Sequence, residues 1–164
     1  LKIAKIEDLI SYRLKNEKLI KIISNKKIHI KKYGNFEMKT FKNKLDGVEH
    51  YALTSGKITY SKTPRVRVIS TNILNSFLNF KKDNFKASLN YLTKFNNFAL
   101  ILVKGANQLK SSQENNNILR YYGVGAQIIK ELGIRNMILV SRSKKRVIAL
   151  NGYGIKIKKQ EIIK

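Results

Sequence analysis

Phe98-Ala99-Leu100-Ile101-Leu102-Val103 is a run of six apolar residues with no polar interruption. A run that short and that apolar marks a strand buried on both faces at the centre of a sheet. The flanks tell what surrounds it. Before it, residues 85–95 read as a helix with Ala87, Leu89 and Leu92 on its apolar face and Asp83 or Asn84 as its cap. Earlier still, Arg65-Val66-Arg67-Val68-Ile69 follows Pro64, the only proline, as a short strand. After it, residues 105–117 are rich in Asn, Gln and Ser and read as an exposed loop. Residues 122–132 read as a helix closed by Gly133, and Met137-Ile138-Leu139-Val140 as a second buried strand. Strand, helix, strand, helix over 65–140 predicts an α/β half. Residues 145–150 read as a short helix and Ile155-Lys156-Ile157 as a last strand.

The amino-terminal half has a different rhythm. Ile28-His29-Ile30-Lys31-Lys32-Tyr33 reads as a strand, Gly34-Asn35 as a turn, and Phe36-Glu37-Met38-Lys39-Thr40-Phe41-Lys42 alternates as a half-buried strand does. Leu45-Asp46-Gly47 is a second turn, and Val48-Glu49-His50-Tyr51-Ala52-Leu53 a third strand, so an antiparallel meander is expected. Ile6, Leu9, Ile10, Leu14, Leu19, Ile20, Ile22 and Ile23 follow near-helical spacing, which predicts a helix over residues 3–23. The fold class is therefore mixed α/β: an N-terminal antiparallel meander, then an α/β sandwich.

Composition bounds the function. A chain of 164 residues, 43% of them hydrophobic, suits one domain with a real core. No stretch of 18 apolar residues occurs, so no membrane partner is expected, and the first residues lack the apolar core of a signal peptide. A cytoplasmic location follows as the expectation. The chain has no cysteine, which excludes disulfides and thiolate metal sites. It starts on Leu1 rather than Met, as a fragment of a longer chain, or a processed one, would.

Thirty-four Lys and Arg against ten Asp and Glu give a net charge of +24. Such a field attracts polyanions, and nucleic-acid binding is one alternative function. Yet the cations are mostly Lys and are spread along the chain, whereas specific nucleic-acid sites favour Arg forks and stacked aromatics. Nucleic acid is the disfavoured partner.

Three blocks carry a resemblance. Arg120-Tyr121-Tyr122-Gly123-Val124-Gly125-Ala126-Gln127, Glu131-Leu132-Gly133-Ile134-Arg135 and Ala149-Leu150-Asn151-Gly152-Tyr153-Gly154 stand in the order seen at the end of GTP cyclohydrolase II. Asp46-Gly47-Val48-Glu49-His50-Tyr51-Ala52-Leu53 is similar to that family's Gly-x-Glu-His-x-Ala-Leu strand, and Arg65-Val66-Arg67-Val68-Ile69-Ser70 to its Val-Arg-Val-His-Ser strand. Ile6-Glu7-Asp8-Leu9-Ile10-Ser11-Tyr12-Arg13 resembles the junction that joins dihydroxybutanone phosphate synthase to cyclohydrolase II in fused riboflavin-synthesis proteins. The resemblance implies residues 1–25 as a helical linker from an upstream synthase domain and 26–164 as a cyclohydrolase II-like domain. It also implies riboflavin biosynthesis, GTP binding and a homodimer.

The family opens the guanine ring with a zinc held by three cysteines. The corresponding positions here are Asn72, Lys82 and Asn84, so no metal and no cofactor is expected. The family's Asp-x-Arg pair falls on Ile118 and Arg120. No catalytic residue is assigned. The Thr-Asn-Asn-Pro-x-Lys segment becomes Ser141-Arg142-Ser143-Lys144-Lys145-Arg146, which keeps hydroxyls and cations. Arg120, Ser141, Arg142, Lys145 and Arg146 are thus the candidates for holding a phosphorylated small molecule. Gly123-Val124-Gly125 lacks the spacing of a phosphate loop and suits close helix packing. The leading expectation is a degenerate domain with a structural, regulatory or phosphate-binding role. Residual nucleotide-directed catalysis would need a general base from Asp46, Glu49, Asp83, Glu114 or Glu131.

Overall fold

The computed structural model describes Tyr12, residues 16–58, 63–71, 84–104 and 114–144, Leu150 and residues 153–163; for Thr71 and residues 114–122 it describes the backbone alone. Seven strands form one sheet: β1 (Ile20–Ile30), β2 (Gly34–Asn43), β3 (Glu49–Ser55), β4 (Arg65–Thr71), β5 (Phe98–Lys104), β6 (Asn136–Ser141) and β7 (Lys156–Ile162). Two helices whose bounds lie among the described residues accompany them, α1 (Asn84–Leu92) and α2 (Glu114–Glu131). The strand order is β1-β2-β3-β5-β4-β6-β7. The apolar run quoted at the outset is β5, fourth of seven. It pairs antiparallel with β3 and parallel with β4.

The meander and the α/β half are both present. β1, β2 and β3 pair antiparallel, whereas β4, β5, β6 and β7 pair parallel. Two hydrophobic clusters cover the two faces of the sheet. One joins Ala52, Val66, Ala99, Ile101 and Val103 to Val124, Ala126, Ile128 and Ile129 of α2. The other joins Leu53, Ile69, Phe98, Leu100 and Val140 to Leu89 and Leu92 of α1. Alternate residues of β5 thus belong to opposite faces, as period 2 demands. Helix, sheet and helix form three layers.

Several boundaries differ from expectation. The helix over 3–23 does not reach its predicted end, because β1 begins at Ile20; Tyr12 and Asn16 are helical, and residues 1–11 and 13–15 lie outside the described residues. Ile20, Ile22 and Ile23 are β-branched; Ile20 and Ile22 pair with β2 and Ile23 falls at the register shift between Ile22 and Ser24, so tertiary pairing overrides the helical spacing. The first turn falls at residues 31–33, with Lys32 left-handed at φ 82° and Gly34 opening β2. Residues 114–117 are helical rather than loop, so α2 begins well before Tyr122; residues 105–113 are outside the described residues. Gly133 closes α2 at φ 76°, and the Ile134 N–H turns back to the Ile129 carbonyl at 3.2 Å. The helix expected over 145–150 falls outside the described residues except for Leu150.

The two rims of the sheet are alike in one respect. Lys21, Lys26 and Lys27 are exposed on edge strand β1, and Lys156, Lys158 and Lys159 on edge strand β7.

Candidate functional site

In an open α/β sheet, ligands bind beyond the carboxyl ends of the strands, where successive connections leave in opposite directions. Here that point lies between β4 and β6. β4 leads through α1, on one face, to β5 on one side of it; β5 leads through α2, on the other face, to β6 on the opposite side of β4. The ladders agree. β4 pairs with β5 along its whole length, from Arg65 to Thr71, but with β6 only through Arg65↔Ile138 and Val66↔Leu139. Beyond Val66 the two strands part.

Arg67 occupies the place where they part. It is 5% exposed, and its Nη1 donates to the Val140 carbonyl at 3.4 Å. Its Nε–H is buried without a hydrogen-bond partner, and no carboxylate is paired with it among the described residues. Burial depresses its pKa, and the positive charge of Arg142 depresses it further. An arginine stays protonated regardless. The result is a buried cation beside a second cation, with one donor unused. Such a group is costly unless something anionic meets it.

Asn84 adds a second orphan. It begins α1, which packs on the same face of β4, and its Oδ1 is buried without a partner. Ser141 ends β6; its hydroxyl donates to the Ser143 carbonyl at 2.7 Å, and its own carbonyl accepts the Ile163 N–H at 2.9 Å. Arg142 follows, exposed. Of the residues singled out in the sequence, Ser141 and Arg142 therefore stand at the crevice. Arg120 lies in the first half of α2, but its side chain is not among those described, and Lys145 and Arg146 lie outside the described residues. Arg67 was missed as a site residue. The signal was a cation between Val66 and Val68 in an apolar strand, which a charge seldom occupies without a purpose.

The residues present do not fit the zinc of the resemblance. The chain has no cysteine, and of the three corresponding positions only Asn84 is described, an amide rather than a thiolate. Among the described residues no group of three His, Asp or Glu could hold a metal ion. His29 is bonded to Asn35 at 2.8 Å at the exposed end of the first hairpin. His50 is buried on β3, where its Nδ1 accepts the Lys104 N–H at 3.1 Å; burial lowers its pKa and favours the neutral ring. The described candidate bases are occupied as well. Asp46 accepts the Val48 N–H at 3.0 Å, Glu49 accepts the Tyr51 hydroxyl at 3.1 Å, and Glu131 pairs with Lys18 at 3.0 Å. Asp83 is outside the described residues, and the side chain of Glu114 is not described. Gly123 and Gly125 lie inside α2, not in a loop; a Cβ on Gly125 would sit 3.4 Å from Val68 and 4.0 Å from Val103, so this glycine serves helix packing. No helix among the described residues is long and apolar enough to cross a membrane.

Known proteins share this architecture. The family model described as GTP cyclohydrolase II matches residues 21–95 and 86–162. The riboflavin biosynthesis protein RibBA of Aquifex aeolicus is 29% identical, over 100% of this chain and 47% of its own length. The 3,4-dihydroxy-2-butanone 4-phosphate synthase of Photobacterium phosphoreum is 30% identical, over 96% of this chain and 47% of its own. The crystal structure of RibBX, a two-domain 3,4-dihydroxy-2-butanone 4-phosphate synthase from A. baumannii, superposes with a TM-score of 0.71 at 27% identity, covering 98% of this chain and 46% of that one. The chain thus spans about half the length of the relatives it matches. With the matched model, the mixed sheet and the strand motifs in agreement, the chain belongs to the GTP cyclohydrolase II family.

Proposed function

We propose that this is a cyclohydrolase II-family domain of cytoplasmic riboflavin biosynthesis that has lost zinc-dependent ring opening and binds a phosphorylated small molecule at the β4–β6 crevice. In this reading it is joined in one chain to a dihydroxybutanone phosphate synthase domain, which it supports or regulates, and it forms a homodimer. Two observations on relatives support the arrangement. The Photobacterium phosphoreum and A. baumannii proteins carry the synthase in their names, and this chain is similar to about half of each.

The observation that carries the reading is Arg67, a buried guanidinium with an unused Nε–H at the switch point of the sheet. A phosphate oxygen there would use that donor and balance the two adjacent positive charges. Arg120, Ser141, Arg142, Lys145 and Arg146 supply further cations and a hydroxyl on the same reading. The absence of cysteine and of a paired acid before Arg120 argues against turnover.

The test is calorimetric. Titration with inorganic pyrophosphate and with GTP should give binding that weakens at least about tenfold in Arg67→Met, the loss of one charge-assisted hydrogen bond. Zinc analysis should find no stoichiometric metal, and GTP should remain intact. Stoichiometric zinc with GTP consumption would overturn the reading, as would pyrophosphate affinity indifferent to Arg67.

A further inference from the structure

Gln127 is a polar residue on the apolar face of α2, 6% exposed, and both ends of its amide are used on one short stretch of chain. Its Oε1 accepts the Leu19 N–H at 3.1 Å, and its Nε2 donates to the Glu17 carbonyl at 2.9 Å. These are backbone groups two residues apart, met as a neighbouring strand would meet them. One side chain reproduces one rung of a ladder. Beyond them the same stretch is held twice more. Lys18 pairs with Glu131 on the same helix at 3.0 Å, and the Leu19 carbonyl accepts the Lys44 N–H from the β2–β3 turn at 2.8 Å. Ile20, the next residue, is fully buried.

The dependence runs both ways. Without residues 17–19, Gln127 would leave an amide donor and acceptor in the apolar cluster around α2 without those partners. Without Gln127, residues 17–19 would lose two backbone hydrogen bonds to α2, while the Lys18–Glu131 ion pair and the bond to the turn would remain. Recognition is through backbone atoms, so it fixes position rather than side-chain identity.

We infer that Gln127 is a latch. It docks residues 17–19 on α2 and makes the approach to β1 a rigid joint, so that Tyr12 and Asn16 are held at a fixed orientation to the helix that bears Arg120. The inference stands apart from the ligand proposal. It concerns the opposite face of the sheet and needs no bound anion.

The chain has no cysteine, which makes the test clean. A nitroxide on Tyr12→Cys, an exposed position, reports the mobility of the approaching chain, and hydrogen exchange reports the Leu19 amide. In the otherwise unchanged protein the label should be ordered and the Leu19 amide protected. In Gln127→Met the Leu19 amide should exchange at least about tenfold faster while β5 amides keep their rates, the signature of local rather than global opening. The label should become mobile in the same variant. Rescue separates a joint from a mere packing residue: Gln127→Glu, which keeps an acceptor for the Leu19 N–H, should retain more Leu19 protection than Gln127→Met. Unchanged Leu19 exchange in Gln127→Met overturns the inference. So does a Leu19 amide that, with Gln127 intact, exchanges as fast as the exposed Lys57 amide, a result that does not depend on the variant folding.

Discussion

Arg65 and Arg67 stand two residues apart on β4, on the same face, and their surroundings are opposite. Arg65 has a complete partner: Nε and Nη2 reach the two oxygens of Glu161 at 2.7 and 3.1 Å, and its guanidinium lies 3.4 Å over the Phe95 ring. The Tyr91 hydroxyl donates to the same carboxylate at 2.8 Å, and Lys159 lies 3.6 Å from it. Arg67 has a backbone carbonyl, a second arginine and an unused donor. The first is what a structural arginine looks like. The second is a buried charge that the described residues leave without a carboxylate, as the proposed anion site requires.

Four experiments would break or sharpen that contrast. The largest effect belongs to Glu161→Ala, which strips a mostly buried guanidinium of its carboxylate; a loss of about 3 kcal/mol in urea unfolding is expected. Arg67→Met should go the other way, holding stability level or raising it by about 1 kcal/mol, because an unmatched buried charge is replaced by an apolar chain of similar length. A loss there comparable to that of Glu161→Ala would make Arg67 another structural arginine.

Acid titration comes third. The hydrogen bond from Arg65, with help from Tyr91 and Lys159, holds the Glu161 carboxyl below its ordinary value of 4.5. A depressed carboxylate contributes stability that is full above the unfolded value and is lost as pH falls through the folded one. Unfolding free energy should therefore fall on acidification below about pH 4.5, and Glu161→Gln should remove part of that pH dependence. The smallest effect is that of Arg142→Glu. It offers Arg67 a carboxylate from an exposed position, so about 0.5 kcal/mol of added stability is expected. Pyrophosphate binding should be lost in the same variant.

The parts legible in the sequence were those that a local pattern decides. Six uninterrupted apolar residues could only be a buried strand, and β5 is central. Gly133 announced the end of α2, and the alternation of Phe36 and Met38 with Glu37 and Lys39 announced β2. What sequence could not decide was competition between patterns. Ile20, Ile22 and Ile23 satisfy a helical period read from the amino side and a strand read from the carboxyl side, and pairing with β2 settles it. The Asn115-Asn116-Asn117 run is a poor helix former, yet it lies within α2. The site divided in the same way. Ser141 and Arg142 stood out as candidates because they fall in the segment that resembles the family's Thr-Asn-Asn-Pro-x-Lys stretch. Arg67 did not, because what marks it is its meeting with β6 and the lack of a paired carboxylate among the described residues.

The lysines on the two outer strands have a consequence for the behaviour of the protein in concentrated solution. An open sheet carries two rows of unpaired N–H and C=O groups that invite another copy to zip on, and lysines along such rims repel that approach. Six of the 34 cations then act against edge-to-edge pairing, whatever else the +24 charge attracts. Because such repulsion between exposed charges is screened within about 8 Å at physiological salt, light scattering should show self-association rising with ionic strength. Self-pairing through β1 or β7 would be suppressed in dilute buffer, and a homodimer would have to use some other face.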